Sequence, residues 1–268
     1  MRIDIHCSFC ERLTDPALLG RYRQILTEEE RGREARFYFE QDRHRYLITR
    51  ALLRTTLSRY ADIPPERWKF VTNTYGRPYI SNKSVTNLTF NLSHTRKLVV
   101  LAVARGCELG VDTEDTLTRT PPLEIADRFF ASEEVTSLRA LPPEQRMRRF
   151  FQYWTLKESY IKARGRGLSL PLDEFAFHFP GERQVSLTLQ AKLQDAAENW
   201  RLWQWWVQRA PTSDDSAAPP QQHMLALCAQ RVSDEVPQLV LREIVPLVSE
   251  AELRATLIAR SQDVQPGA

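Results

Sequence analysis

Between residues 150 and 167 the chain reads FFQYWTLKESYIKARGRG. With successive residues set about 100° apart, Phe150, Trp154 and Ile161 fall on one line. Phe151, Tyr153 and Tyr160 flank it, while Gln152, Thr155, Ser159 and Lys162 share the opposite arc. The pattern predicts a helix with a glycine exit at Gly165 and Gly167. Two charges break it. Lys157 projects into the apolar arc, and Glu158 sits at its edge beside Lys162. A buried charge is costly without a partner or a ligand, so both residues call for one. An i,i+4 pair between Glu158 and Lys162 is the plainest account.

The same patterning predicts a strand over 2–9, a short helix over 18–25, and a helix start at Thr27-Glu28-Glu29-Glu30. Residues 35–60 read as one long amphipathic helical region, punctuated by Pro64-Pro65. Strands are expected over 68–71, 88–92 and 98–104, with a turn at 73–78. The run over 98–104 is apolar almost throughout, as in a strand buried on both faces. Arg105-Gly106 turns the chain into 107–112, expected as the hairpin partner of 98–104. Past Pro121-Pro122, helical segments lead to the 150–167 helix. Strands follow over 175–179, 185–189, 200–207 and 224–229, with a polar, mobile loop around 211–222. The tail from about 249 is expected as a short helix and a frayed end. Ala35-Arg36-Phe37-Tyr38 leads into one long helix as Arg148-Arg149-Phe150-Phe151 leads into the other, a faint internal echo.

Composition narrows the class. A chain of 268 residues, 42% apolar and 26% charged, describes an ordinary soluble globular protein. A net charge of +3 argues against global attraction to nucleic acid or membrane. Charge is concentrated locally: from Arg31 to Arg59 there are eight arginines against Glu34, Glu40 and Asp42, either a solvated helix face or an anion site. The MRIDIHC start and the lack of any run of ~18 apolar residues lead us to expect a cytoplasmic protein. Cys7 and Cys10 form a C-x-x-C with no second pair to complete a zinc site, and Cys107 and Cys228 lie in apolar runs expected in the core.

Three stretches could carry chemistry. In Gly110-Val111-Asp112-Thr113-Glu114, strand geometry puts Asp112 and Glu114 on one side. Two such carboxylates can share a hard cation, or can be solvated acids in a turn. Phe90-Asn91-Leu92-Ser93-His94-Thr95 offers short polar groups suited to an anion, or a satisfied structural imidazole. Gly76-Arg77-Pro78 projects one arginine from a turn. No G-x-S-x-G occurs.

In order, RFYFEQDRHRYLITRALLR, YGRPYI, FNLSHT, LGVDTED and FFQYWTLKESYIKARGRGLSLPLD closely resemble the Sfp-type 4′-phosphopantetheinyl transferases, over about residues 30 to 230. The chain departs in the 211–222 loop, in a longer tail, and at Arg77, where the family's G-K-P has lysine. The resemblance implies an α+β fold of two similar α/β halves related by a pseudo-two-fold, with a ligand cleft between them. The halves would be 1–106 and 107–248, followed by a tail over 249–268. It implies transfer of the phosphopantetheine arm of coenzyme A to a carrier-protein serine, with release of 3′,5′-ADP. The alternative is a non-catalytic coenzyme A-binding relative.

By the same resemblance Asp112, Glu114 and Glu158 hold Mg²⁺, with Mn²⁺ as an alternative ion. Glu158 takes the serine proton, directly or through a metal-bound water, and Lys162 meets the coenzyme A phosphates. Lys157 joins the coenzyme A group or serves as a structural ion-pair partner. Arg33, Arg36, Arg45, Gly76, Arg77, Pro78, Ser93 and His94 match coenzyme A-binding positions. Expected partners are apo acyl, peptidyl or aryl carrier domains. No nucleic acid or membrane partner is expected, and the chain should be a monomer.

Overall fold

The helix predicted around residue 150 begins earlier than its aromatic stripe. In the computed structural model, which describes residues 1–117, 123–209 and 222–262, it runs for 22 residues, from Pro143 to Arg164. Proline opens it where no backbone N–H is needed. Gly165 closes it at φ +66°, a left-handed conformation that glycine adopts without a Cβ penalty.

The element order repeats. The first series is β1 (Arg2–Phe9), α1 (Pro16–Ile25), α2 (Glu28–Arg36), α3 (Glu40–Leu57), β2 (Phe70–Thr72), β3 (Pro78–Ile80), β4 (Leu88–His94) and β5 (Leu98–Arg105). The second is β6 (Leu109–Asp115), α4 (Ile125–Phe129), α5 (Ser132–Ala140), α6 (Pro143–Arg164), β7 (Phe175–Gly181), β8 (Gln184–Leu189), β9 (Trp200–Gln208) and β10 (Gln222–Gln230). Three strands close the chain: β11 (Gln238–Val245), β12 (Ser249–Glu252) and β13 (Arg254–Arg260). One sheet has the order β12-β11-β1-β5-β4 and the other β6-β10-β9-β13-β8-β7, while β2 and β3 pair apart. The triplets β1-β5-β4 and β6-β10-β9 are both antiparallel throughout and occupy matching places in the two series.

Strand alternation builds the layers. Ile3, Ile5, Cys7 and Phe9 of β1, with Val100 and Ala102 of β5, meet Trp203, Trp205, Leu225 and Leu227 of the second sheet. The opposite face of β5, Val99, Leu101 and Val103, packs on Leu47, Ile48, Ala51 and Leu52 of α3. Behind the second sheet, Phe150, Phe151, Leu156 and Tyr160 of α6 pack on Phe175, Met224, Ala226 and Cys228. The protein is thus a mixed α+β structure layered helix, sheet, sheet, helix. Each fully buried large apolar side chain contributes about 1.5–3 kcal/mol. All four cysteines are free and buried.

Several expectations change. The 35–60 helix is broken at residues 37–39, where Phe37 and Phe39 are extended. The break folds α2 back on α3, so that buried Glu30 receives Arg50 and, at 2.8 Å, Arg54. Two of the eight arginines are therefore internal scaffolding, while Arg31, Arg33, Arg36 and Arg59 stay exposed. Residues 107–112 are not the hairpin partner of β5: after Gly106 turns at φ +74°, β6 crosses to the other sheet and pairs with β10. The tail from 249 is strand, since Leu253, Ala255 and Leu257 repeat every second residue and line the inter-sheet core. β11 lies parallel to β1, so residues 238–245, within the 107–248 segment, join the first sheet, as does β12 at the start of the tail. Most of the 211–222 loop, Pro121-Pro122 and the end of the tail lie outside the described residues.

Candidate active site

Three elements converge where the sheets meet. β6 borders the second sheet and β4 the first, and side chains of β4 join them. Asn91 Oδ1 accepts the Val111 N–H at 3.0 Å, and Ser93 Oγ accepts the Thr113 N–H at 3.3 Å. Both pairs advance by two residues, so one face of β4 satisfies the backbone of β6 without a main-chain ladder. On the other side α6 lies almost against the β6 backbone. A Cβ built on Gly110 would stand 2.1 Å from the Ser159 carbonyl oxygen and 2.3 Å from the Ala163 nitrogen. Only glycine permits this approach.

The contact brings the working edge of α6 to Asp112. Lys162 Nζ donates to Asp112 Oδ1 at 2.6 Å, to Ser93 Oγ at 3.0 Å and to the Val111 carbonyl at 3.1 Å. Ser93 donates its own proton to Asp112 Oδ1 at 2.9 Å. Asp112 is 6% exposed, and its Oδ2 is buried without a hydrogen-bond partner. Glu158, half-buried one turn before Lys162, has its carboxyl pushed up to about 7. Burial is the main cause; the charges of Asp112 and Glu114 add to it, and Lys162 opposes them. Among the described residues no group of three or more His, Cys, Asp or Glu side chains stands ready to hold a metal ion. Asp112 Oδ1 is instead engaged by the Lys162 ammonium. The orphaned buried oxygen of Asp112, with the Glu114 carboxylate and Glu158 itself close enough for their charges to couple, is nevertheless a donor set that fits a hard divalent cation.

His94 ends β4 at this edge. Its ring is held below the ordinary imidazole value, first by local desolvation and then by Arg45 and Lys162, with Asp112 opposing. Arg45, half-buried on α3, also pairs with Asp42 at 2.7 Å. Asp112, Glu114, Glu158, Lys162, Ser93, His94 and Arg45 thus form one neighbourhood.

Other expected residues lie elsewhere. Arg33 and Arg36 are exposed on the last turn of α2. Arg77 is buried: it donates to the Ala163 carbonyl at 2.8 Å and the Leu109 carbonyl at 3.3 Å, and pairs with Glu108 at 2.7 Å. Gly76, at φ +85°, and Pro78, at the start of β3, shape its turn. Asn73 adds a bond to the Gly165 carbonyl at 2.7 Å. This turn therefore caps the C-terminal end of α6, where cations and donors are favoured. Lys157 points away from the group, 1% exposed, with its ammonium on Glu134 and the Leu172 and Phe175 carbonyls, each at 2.7 Å. No N–H is left for a ligand. Sequence reasoning missed Glu134, whose only signal was the demand of a buried lysine for a partner; Asn91 was singled out as a polar group for an anion and instead holds the Val111 N–H.

Known proteins resemble this chain over most of its length. A family model described as the 4′-phosphopantetheinyl transferase superfamily matches residues 108–227, and one for the 4′-phosphopantetheinyl transferase N-terminal region matches 17–106. A 4′-phosphopantetheinyl transferase of Bacillus subtilis is 35% identical over 184 residues, 66% of this chain and 80% of the relative. The 4′-phosphopantetheinyl transferase HetI of Nostoc is 39% identical over 179 residues, 66% of this chain and 72% of its own length. The transferase Sfp of Bacillus subtilis strain 168 is 36% identical over 169 residues, 63% of this chain and 73% of its length. With both stretches matched and the site seated at their junction, this chain belongs to the 4′-phosphopantetheinyl transferase superfamily.

Proposed function

We propose that this protein moves the 4′-phosphopantetheine arm of coenzyme A to a serine of an apo acyl, peptidyl or aryl carrier domain, releasing 3′,5′-ADP. The observation that carries the reading is the cluster of Asp112, Glu158, Lys162 and Ser93 at the junction of the two sheets. The repeated element order supports two similar halves related by a pseudo-two-fold, with coenzyme A in the cleft between them. No described helix is long and apolar enough to cross a membrane. A cytoplasmic monomer is the arrangement we infer.

Asp112, Glu114 and Glu158 would hold Mg²⁺. When bound, the ion would neutralise the pyrophosphate and the charge growing on the leaving phosphate. Lys162, fixed by Asp112, Ser93 and the Val111 carbonyl, presents a positive charge at the same edge. Glu158 takes the serine proton as the serine oxygen bonds to the phosphorus carrying the pantetheine arm, and the bond from that phosphorus to 3′,5′-ADP breaks. Without the ion the Glu158 carboxyl is pushed up to about 7, mainly by burial; a cation beside it would favour the ionised, proton-accepting form. His94, Arg45 and Arg36 would meet coenzyme A, with Arg33 as a further contact.

The test is intact mass. Incubation with coenzyme A, Mg²⁺ and a panel of apo carriers should add one phosphopantetheine to at least one of them. Coenzyme A binding with no mass gain across the panel would favour the non-catalytic alternative.

A further inference from the structure

A cavity of about 690 Å³ opens at the end of the first sheet opposite the Asp112 cluster. Its lining includes Arg2, Asp4, His6, Arg59, Tyr60, Arg105, Arg242 and Glu250. β5 connects the two places: Val99 lies opposite His94, and Arg105 borders the cavity. At about 3.3 Å per residue that separation is about 20 Å.

The floor of the cavity is polar and ordered. Tyr60 donates its hydroxyl proton to Asp4 Oδ2 at 2.8 Å, and Arg2 Nε donates to Asp4 Oδ1 at 2.7 Å. The Tyr60 proton being committed, His6 Nε2 donates to the Tyr60 oxygen at 3.1 Å. His6 is 3% exposed and neutral, its pKa lowered by burial to about 4. Its Nδ1 therefore carries a lone pair, and that atom is buried with no hydrogen-bond partner. The wall is cationic. Arg242 lies beside His6 in the β1–β11 register and makes no hydrogen bond or ion pair among the described residues. Arg59 is paired with Glu250 at 2.7 Å, and Arg105 donates to the Tyr60 carbonyl. Four arginines against Asp4 and Glu250 leave an excess of two positive charges over a floor that needs a donor.

We propose that this cavity binds a phosphate group, free or as a small monoester, at a site separate from the transferase centre. Arg242, with Arg59 and Arg105, meets the phosphate oxygens, since the guanidinium fork suits phosphate. His6 Nδ1 accepts a hydrogen bond from a hydroxyl, on the phosphate itself or on the carbon tail. Sulfate matches the charge but brings no donor, so the floor should discriminate against it.

The experiment is calorimetric titration of the full chain with inorganic phosphate, glycerol 3-phosphate and sulfate, with saturating coenzyme A present. We expect saturable binding of phosphate or the monoester, and at least fivefold weaker binding of sulfate. Tighter binding of glycerol 3-phosphate than of phosphate would mark the monoester as the ligand; equal binding would mark the phosphate alone. Arg242→Ala should weaken binding at least fivefold, and His6→Phe should remove the preference over sulfate. Both variants should modify carriers at the unaltered rate, which separates this site from the transfer reaction. Absence of binding, or equal affinity in folded Arg242→Ala protein, overturns the proposal. The Arg242 comparison holds even if His6→Phe fails to fold or coenzyme A does not bind.

Discussion

α6 carries two lysines five residues apart, and their surroundings have the same formula: one carboxylate and two further oxygens around one ammonium. Lys157 has Glu134 with the Leu172 and Phe175 carbonyls; Lys162 has Asp112 with Ser93 Oγ and the Val111 carbonyl. The carboxylates differ. Glu134 is saturated, since it also accepts the Ala131 N–H and the Phe177 N–H, each at 2.9 Å. Asp112 keeps a buried oxygen without a partner. The lysine side chains are 1% and 26% exposed, respectively. A closed ion pair locks α5, α6 and β7 together; an open one, with Glu158 beside it, has capacity left for chemistry.

The comparison can be broken at its open end first. Glu158→Gln removes the proposed proton acceptor while preserving shape, and carrier modification should fall by about 10³-fold, within the range for general acid–base groups. Its melting temperature at pH 8 should not drop. A rate within tenfold of the parent would remove Glu158 from the transfer step.

At the closed end, Glu134→Ala leaves a buried ammonium without its counter-ion and two N–H groups without an acceptor. The cost should be about 3–5 kcal/mol in denaturant unfolding. A loss below about 1 kcal/mol would mean that the pair is not the lock described here.

The smallest expected effect is on pH dependence. The Glu158 carboxyl titrates near 7 in the folded protein against an ordinary 4.5, so the native state holds the proton more tightly than the unfolded chain. Stability should therefore fall as pH rises from about 4.5 to 7, by up to about 3 kcal/mol in EDTA. Glu158→Gln should flatten that slope, and added Mg²⁺ should restore stability at pH 8. Melts with no Mg²⁺ effect would separate the three carboxylates from metal binding.

The sequence made α6 legible because its stripe is local: period and glycine exit lie within one segment. That Lys157 and Glu158 needed partners was also legible. Which partners they found was not, because Glu134 and Asp112 reach them by folding. Arg77 shows the same limit. Its charge and turn were visible, but its burial under the end of α6 depends on the Ala163 and Leu109 carbonyls, which the motif does not contain. The 35–60 helix was misread because Glu30 lies upstream of the window and draws α2 back onto α3. Strands β11 to β13 were missed or misassigned because pairing with β1 and β9 over more than 200 and about 50 residues leaves no local trace.

Those last strands have a mechanical consequence. The chain passes between the sheets after β5, again before β11, and again between β12 and β13. Two bodies joined by a single tether can swivel about it. Ties at separate points leave no free axis, so parting the two sheets would require β11 to slide along β1 or β13 along β9. The two sheets should therefore behave as one stiff frame, and access for a bulky carrier is left to the loops at the rim.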